Sequence, residues 1–314
     1  MKITIMGTGG LGGYIGGRLA QAGNDVTFIA RGKQLDALAA SGLRVKCSKG
    51  DFHLPVVHVT RTTERLQPPD LIVLGVKAYD LLPAIDAIAP IVGHGTAIVP
   101  ILNGVEHLRI LSDHFGEKHV LGGLSNMTAH VVAPGIVERI GEHGGLEFGE
   151  QAGGISERVK AIEAVLDIDG LNGKASKNIS IGMWQKFATI CAANTVCAVR
   201  GDKQVVLRGM PETGDLMRQL GLEVIRVAQA MHIGLQDAFV DSIIQLFETV
   251  PLHFKTSTLL GLERGERLEL DALHGAVVRM GRKLGVPTPA NEFVFTSLKP
   301  HMAGAWHSGA PSQA

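Results

Sequence analysis

Lys2-Ile3-Thr4-Ile5-Met6-Gly7-Thr8-Gly9-Gly10-Leu11-Gly12 is an apolar run of strand length that breaks into glycines. The glycines fall at the first, third and sixth positions of G-x-G-x-x-G, and each has a mechanical task. Gly7 allows a tight turn, Gly9 lets the backbone approach a pyrophosphate with no Cβ in the way, and Gly12 lets the next helix press on the strand. The N–H groups where that helix starts, at Gly10 and Leu11, would face the phosphates. Forty glycines make such a spacing easy to find by chance, so its context carries the reading. A strand precedes it, a helix over Gly10 to Gln21 follows, Gly23 supplies a left-handed stop, and Asp25 to Ile29 reads as a second strand.

The end of that second strand bears on the cofactor. A site for NAD usually places Asp or Glu there to accept from the ribose 2′-hydroxyl. This chain has Ala30-Arg31-Gly32-Lys33. A guanidinium offers a planar fork suited to a 2′-phosphate, with Lys33 as a second cation, so NADP is expected. The plainer alternative has Arg31 merely starting the next helix in solvent.

The 314 residues suffice for two domains. Thirty basic residues balance thirty acidic ones, and no basic block interleaved with aromatics points to nucleic acid or an anionic membrane. Cys47, Cys191 and Cys197 have no C-x-x-C spacing and read as packed thiols of a reducing compartment. The histidines show no H-E-x-x-H and no ligand spacing on one helical face, so no metal site is expected. No apolar run reaches the ~18 residues of a membrane span, and a five-residue strand is not a signal-peptide core. A cytoplasmic protein, monomer or homodimer, is the expectation.

Gln34 to Ala40 reads as a helix, and Leu43 to Lys46 with Phe52 to Val59 as a hairpin inserted in a doubly wound pattern. Asp70 to Val76 is a continuous apolar run, typical of a parallel strand covered on both faces, and ends at Lys77. A helix over Asp80 to Ile91 leads to a buried strand over Thr96 to Leu102, which ends at Asn103-Gly104. Ligands bind beyond the carboxyl ends of such strands, where Gly7 to Gly12, Arg31, Lys77 and Asn103 would gather. Lys77 could equally be a solvated strand end, and Asn103 a plain turn residue. Val120 to Val132, Ile136 to Ile140 and Leu146 to Gly149 read as antiparallel strands closing the sheet, followed by a helix over Ser156 to Leu166.

The pattern then changes. Asn172 to Lys177 is polar and turn-rich, and every strong period after it is helical, so the boundary is set at 175/176. The fold class is therefore α/β: an N-terminal Rossmann-type doubly wound sheet over 1–175 and an all-helical domain over 176–314. Ile181, Trp184, Phe187, Ala188 and Cys191 form one helical core face, and Lys186 lies off it with Ile190 and Asn194 at helical spacing. Helices follow around Gly214 to His232, Asp237 to Phe247 and Leu268 to Leu284, the last ended by Gly285 and Pro287, and His301 to Ala314 reads as a loose tail.

Over Met1 to about Met302 the chain resembles the 2-dehydropantoate 2-reductase (ketopantoate reductase) family. The resemblance is carried by Gly7, Gly9 and Gly12 with Arg31, Val76-Lys77-Ala78, Leu102-Asn103-Gly104, Met183-Trp184-Gln185-Lys186-Phe187, Asn194, Ser257 and Leu268-Glu269-Leu270-Asp271. It implies NADPH-dependent reduction of a 2-keto acid to a 2-hydroxy acid in a cleft between the two domains, and a place in pantothenate biosynthesis. By the same resemblance Lys186 is the general acid, and Glu269 is the carboxylate that holds the lysine and the substrate hydroxyl. Asn103, Asn194 and Ser257 are substrate contacts; Arg31, Lys77 and Asn103 join the glycine loop in holding the cofactor.

The chemistry is sound on its own terms. Hydride delivery builds negative charge on a carbonyl oxygen, which a positioned ammonium can neutralise and then protonate. Taken alone, Lys186 could be a lysine snorkelling to solvent, and Glu269 a carboxylate favoured at a helix start. The chain departs from the family at Ile190, where members acting on ketopantoate usually carry asparagine, at Thr258-Leu259-Leu260-Gly261, and at Phe254. A site with fewer hydrogen-bonding groups discriminates less in favour of a hydroxylated substrate. Two further readings stand: a paralogue reducing a more apolar 2-keto acid or ketone, and an NADP-binding regulator with no catalysis.

Overall fold

The computed structural model describes residues 1–194, 211–249 and 255–304. The chain divides into two compact units, Met1–Gly182 and Met183–Ala314. Cys197 and Phe254 lie outside the described residues, as do positions 305–314.

The first unit opens with β1 (Lys2–Met6), α1 (Gly10–Gln21) and β2 (Asp25–Ile29), bounded as the sequence pattern predicts. After α2 (Gly32–Ser41), the segments β5 (His58–Thr60), β6 (Leu71–Leu74) and β7 (Ala97–Pro100) complete a parallel sheet in the order β5-β2-β1-β6-β7. All four residues of β6 are buried, as a strand covered on both faces requires. The alternation of strand side chains builds two cores. Ile3, Ile5 and Val73 pack with Tyr14, Ile15 and Phe28 on one side of the sheet, and Met6, Ile72 and Leu74 pack with Leu81, Ile85 and Leu111 on the other.

Several sequence expectations change here. The run from Phe52 to Val59 is two strands. β3 (Leu43–Lys46) and β4 (Phe52–Leu54) form the expected hairpin, but the chain leaves it at Pro55, whose missing N–H cannot continue the ladder, and β5 joins the large sheet. The run from Val120 to Val132 also divides, into β8 (Gly122–Ser125) and β9 (Thr128–Ala133). Neither extends the large sheet as a closing member. β9 pairs with β10 (Ile136–Ile140), which lies parallel to β3, whereas β8 pairs with β11 (Leu146–Gly149). A two-residue strand, β12 (Lys174–Ala175), lies within the segment read as turn and borders β11.

The remaining helices of this unit are α3 (Leu81–Ile88), α4 (Glu106–Phe115) and α5 (Glu157–Leu166). Ser156 caps α5, accepting from the Val159 N–H at 3.3 Å. No helix was expected over α4; its apolar residues are few, although Leu108, Leu111 and Phe115 recur at helical spacing.

Helix α6 (Ile179–Ala193) begins in the first unit and continues into the second. It is followed by α7 (Pro211–Ala230), α8 (Phe239–Thr249), α9 (Ser257–Glu263), α10 (Ala276–Leu284) and α11 (Pro289–Leu298). Among the described residues of the second unit every regular element is helical. Leu220, Leu268, Leu270, Val294 and Leu298 form one of its cores. The helix expected from Leu268 is shorter: Asp271–Gly275 is a π turn, and the α-helix starts at Ala276. α11 falls where no helix was expected, and Pro289 at its first turn was the available signal. Among the described residues no helix is long and apolar enough to cross a membrane.

Candidate active site

Strand register brings the first set of residues together. Met6 lies beside Ile29 and Leu74, and Leu74 beside Pro100, so the carboxyl ends of four strands are level. Gly7, Arg31, Lys77 and Asn103 each follow one of those ends within three residues. Arg31 and Lys77 are exposed and Asn103 is half-buried.

Each loop glycine answers a different demand. Gly7 has φ +96°, and a Cβ there would meet Val76 Cγ1 at 2.7 Å. A Cβ on Gly12 would lie 2.1 Å from the Gly7 carbonyl oxygen, so close packing of α1 on β1 requires glycine. Gly10 is closed off by the protein itself, because its Cβ would stand 2.2 Å from the Ala129 carbonyl oxygen of β9. Gly9 alone of the four is exposed and faces open space; no atom outside its immediate neighbours comes within 4 Å of a Cβ position. It is also the residue that precedes the first turn of α1, and it brings no side-chain oxygen to the N–H groups there. Thr8, not singled out in the sequence, ties the loop to β2 by donating its hydroxyl to the Ile29 carbonyl at 2.9 Å.

This arrangement fits a pyrophosphate: uncapped N–H groups at a helix start, an open backbone at Gly9, and no side chain between. At the end of β2 the residues Arg31-Gly32-Lys33 present cations and no carboxylate. Arg31 precedes the first turn of α2 in extended conformation, so its exposed guanidinium can reach an anion beside β2.

In the second unit Lys186 is on α6, half-buried and off the face formed by Met183, Trp184, Phe187, Ala188 and Cys191. Burial lowers its ammonium from 10.5 to about 8, and the carboxylate of Glu269 opposes that fall. The lysine and the glutamate singled out in the sequence thus lie near enough for the carboxylate's charge to act on the ammonium. Ile190, one turn further along α6, is half-buried. Ser257 is exposed at the start of α9, where Thr256 accepts from the Leu259 N–H at 3.1 Å. Cys191 is fully buried, and burial pushes its thiol up, out of reach of ionisation.

Asn194 is 0% exposed and lies just beyond the end of α6, its N–H donating to the Ile190 carbonyl at 3.1 Å. Its carboxamide nitrogen is 3.2 Å from Nε2 of His274, whose Nδ1 is 2.8 Å from Oδ1 of Asn291. Burial lowers the His274 imidazole to about 4, opposed by the bond to Asn291. Behind Asn291 stands Glu223, 2% exposed. His274, Asn291 and Glu223 were not read from the sequence. The available signal was Glu223, a carboxylate in the apolar stripe Leu220, Val224, Val227 of α7. Among the described residues no group of three or more His, Cys, Asp or Glu could hold a metal.

Comparison with known proteins agrees along the chain. Residues 3–153 match the family model described as ketopantoate reductase PanE/ApbA, and residues 178–302 match the model of that family's C-terminal part. A 2-dehydropantoate 2-reductase of Mesorhizobium japonicum is 32% identical over 320 residues, covering 95% of this chain and 97% of the relative. The crystal structure of 2-dehydropantoate 2-reductase from Geobacter metallireducens GS-15 superposes with a TM-score of 0.88 at 28% identity, covering 95% of this chain and 99% of its own. A ternary structure of D-mandelate dehydrogenase with NADH and anilino(oxo)acetate superposes with a TM-score of 0.87 at 25% identity, covering 96% and 98%.

Proposed function

The chain belongs to the ketopantoate reductase family, and from that premise we propose that it reduces a 2-keto acid to the 2-hydroxy acid with NADPH, Lys186 supplying the proton. It is an oxidoreductase acting on a CH–OH group. Cofactor binding belongs to the sheet-containing unit and proton donation to the helical one. Ketopantoate is the substrate that family membership favours, which places the reaction in pantothenate biosynthesis. The free Cys47 and Cys191 are in keeping with the cytoplasm.

Lys186 carries the reading. An ammonium lowered to about 8 beside Glu269 is charged at neutral pH and gives up its proton readily. It stabilises the negative charge that develops on the carbonyl oxygen and then transfers its proton there. Glu269 keeps the lysine protonated and can accept from the hydroxyl that forms. Bound reduced nicotinamide supplies the hydride. Backbone N–H groups at the start of α1 and the open face of Gly9 hold the pyrophosphate, Arg31 and Lys33 pair with the 2′-phosphate, and Lys77 and Asn103 contribute from the neighbouring strand ends. Asn103, Asn194 and Ser257 are assigned to the substrate.

Ile190 favours a second reading, a more apolar 2-keto acid, because its side chain offers that acid contact and no hydrogen bond. The likeness to a D-mandelate dehydrogenase is in keeping with it. Rapid-mixing oxidation of NADPH with ketopantoate and a panel of branched 2-keto acids tests both. Reduction of at least one of these acids is expected; loss of NADPH signal with none of them would overturn the assignment.

A further inference from the structure

A polar chain buried in the helical unit fixes the orientation of Asn194, and its logic starts at Glu223. The two carboxylate oxygens of Glu223 accept from the N–H groups of Ala290 and Asn291, at 2.8 Å and 2.9 Å. These are donors left over in the first turn of α11, where a negative charge is also favoured. Oε2 accepts a further bond from Nδ2 of Asn291 at 2.8 Å, and the same nitrogen reaches the Leu220 carbonyl at 3.2 Å. A carboxylate and a carbonyl can only accept, so the nitrogen end of the Asn291 amide must face them and its oxygen must face His274.

That oxygen, 2.8 Å from Nδ1, also only accepts, so Nδ1 carries the proton. The neutral ring then leaves a lone pair on Nε2, which fixes the next orientation: Asn194 must turn its nitrogen toward His274 and its oxygen away. Asn194 Oδ1 is buried and has no hydrogen-bond partner among the described residues. His274 itself lies in the π turn. Gly275 N–H bonds to the Leu270 carbonyl at 3.1 Å, one residue more than an α turn, and the wider turn leaves Leu273, His274 and Gly275 all buried.

We infer that His274 is a positioning residue, which holds the Asn194 carboxamide so that its oxygen accepts from a hydroxyl carried by the bound keto acid. The inference rests on the reading of this chain as a keto acid reductase and of Asn194 as a substrate contact. A buried acceptor without a donor is costly, and a ligand hydroxyl relieves it. The carboxylate of the acid cannot, since it too only accepts.

The test uses the full-length chain as wild type, His274→Leu and His274→Gln. Leucine removes both hydrogen bonds; glutamine keeps one donor and one acceptor. With saturating NADPH, His274→Leu should raise KM for ketopantoate on the order of 10-fold and change kcat much less. KM for 3,3-dimethyl-2-oxobutanoate, the same acid without the hydroxyl, should hardly move, and His274→Gln should restore most of the loss. Equal losses on both acids, or none on either, would overturn the inference. The ring nitrogens give a readout free of turnover: ¹⁵N spectra of the wild-type chain should show His274 protonated on Nδ1, and protonation on Nε2 would contradict the positioning chain. A wild type that binds NADPH but reduces neither acid nor the branched panel counts against the proposed reaction, and the ring tautomer then decides the positioning chain separately.

Discussion

The carboxylate of Glu269 works against burial at Lys186: desolvation brings the ammonium down from 10.5 to about 8, and the negative charge limits the fall. A donor must be protonated before it can act, so kcat/KM for keto acid reduction is expected to fall as pH rises through about 8. Glu269→Gln removes the opposing charge, which lowers the lysine further and moves that limb to lower pH. A pH profile of both proteins checks this, and an alkaline limb unmoved by the substitution would break the link between the two residues.

Arg31 makes the cofactor preference testable. NADPH should bind much more tightly than NADH, and Arg31→Ala should narrow the gap by weakening NADPH alone, by about 10-fold or more for a lost charge-assisted contact. Titration of both cofactors by intrinsic fluorescence gives the four dissociation constants. Equal constants in the wild type would mean that Arg31 only starts α2.

Much of the first unit is legible because its signals are local. β1, α1 and β2 follow from an apolar alternation, three spaced glycines and the left-handed Gly23, all within 29 residues. The errors share a cause: apolar runs do not reveal where a strand changes partners. Phe52 to Val59 reads as one strand, but Pro55 divides it between two sheets, and the run read from Val120 to Val132 is likewise split between two sheets. Lys186 was legible as a charge off an apolar stripe, and Glu269 only through family likeness. His274, Asn291 and Glu223 were illegible because the contact from Asn194 to His274 spans 80 residues, and no local spacing encodes it. The π turn that carries His274 is likewise a departure from the helical period.

His274 should leave a mark on stability. Its folded value, about 4, is depressed from 6.5, so between these limits the unfolded chain binds more protons than the folded one. Stability therefore rises with pH across this window and falls on acidification, with a contribution on the order of 3 kcal/mol. Among the described residues the ring bonds to Asn194 and Asn291, and Glu223 is separated from it by Asn291. Urea unfolding of wild type and His274→Gln from neutral pH down toward 4 should give a shallower dependence for the variant. Identical slopes would show that this imidazole does not stay neutral in the folded state.

Ile190 and Asn194 treat the substrate side chain in opposite senses, one apolar and one an acceptor. Ile190→Asn should raise kcat/KM for ketopantoate by about 10-fold, the scale of one restored hydrogen bond, and lower it for branched apolar 2-keto acids. Competition between the two acids in a single assay measures the shift. An unchanged ratio would assign Ile190 to the core rather than to specificity.

Proton donation by Lys186 is the central claim, and Lys186→Ala tests it most directly, by comparing kcat with NADPH affinity in the same preparation. The variant is expected to lose at least ~10²-fold in kcat while its dissociation constant for NADPH and its thermal midpoint stay close to those of the wild type. Turnover at the wild-type rate would contradict the account, because the proton would then come from elsewhere and the lysine would be only a half-buried residue of α6.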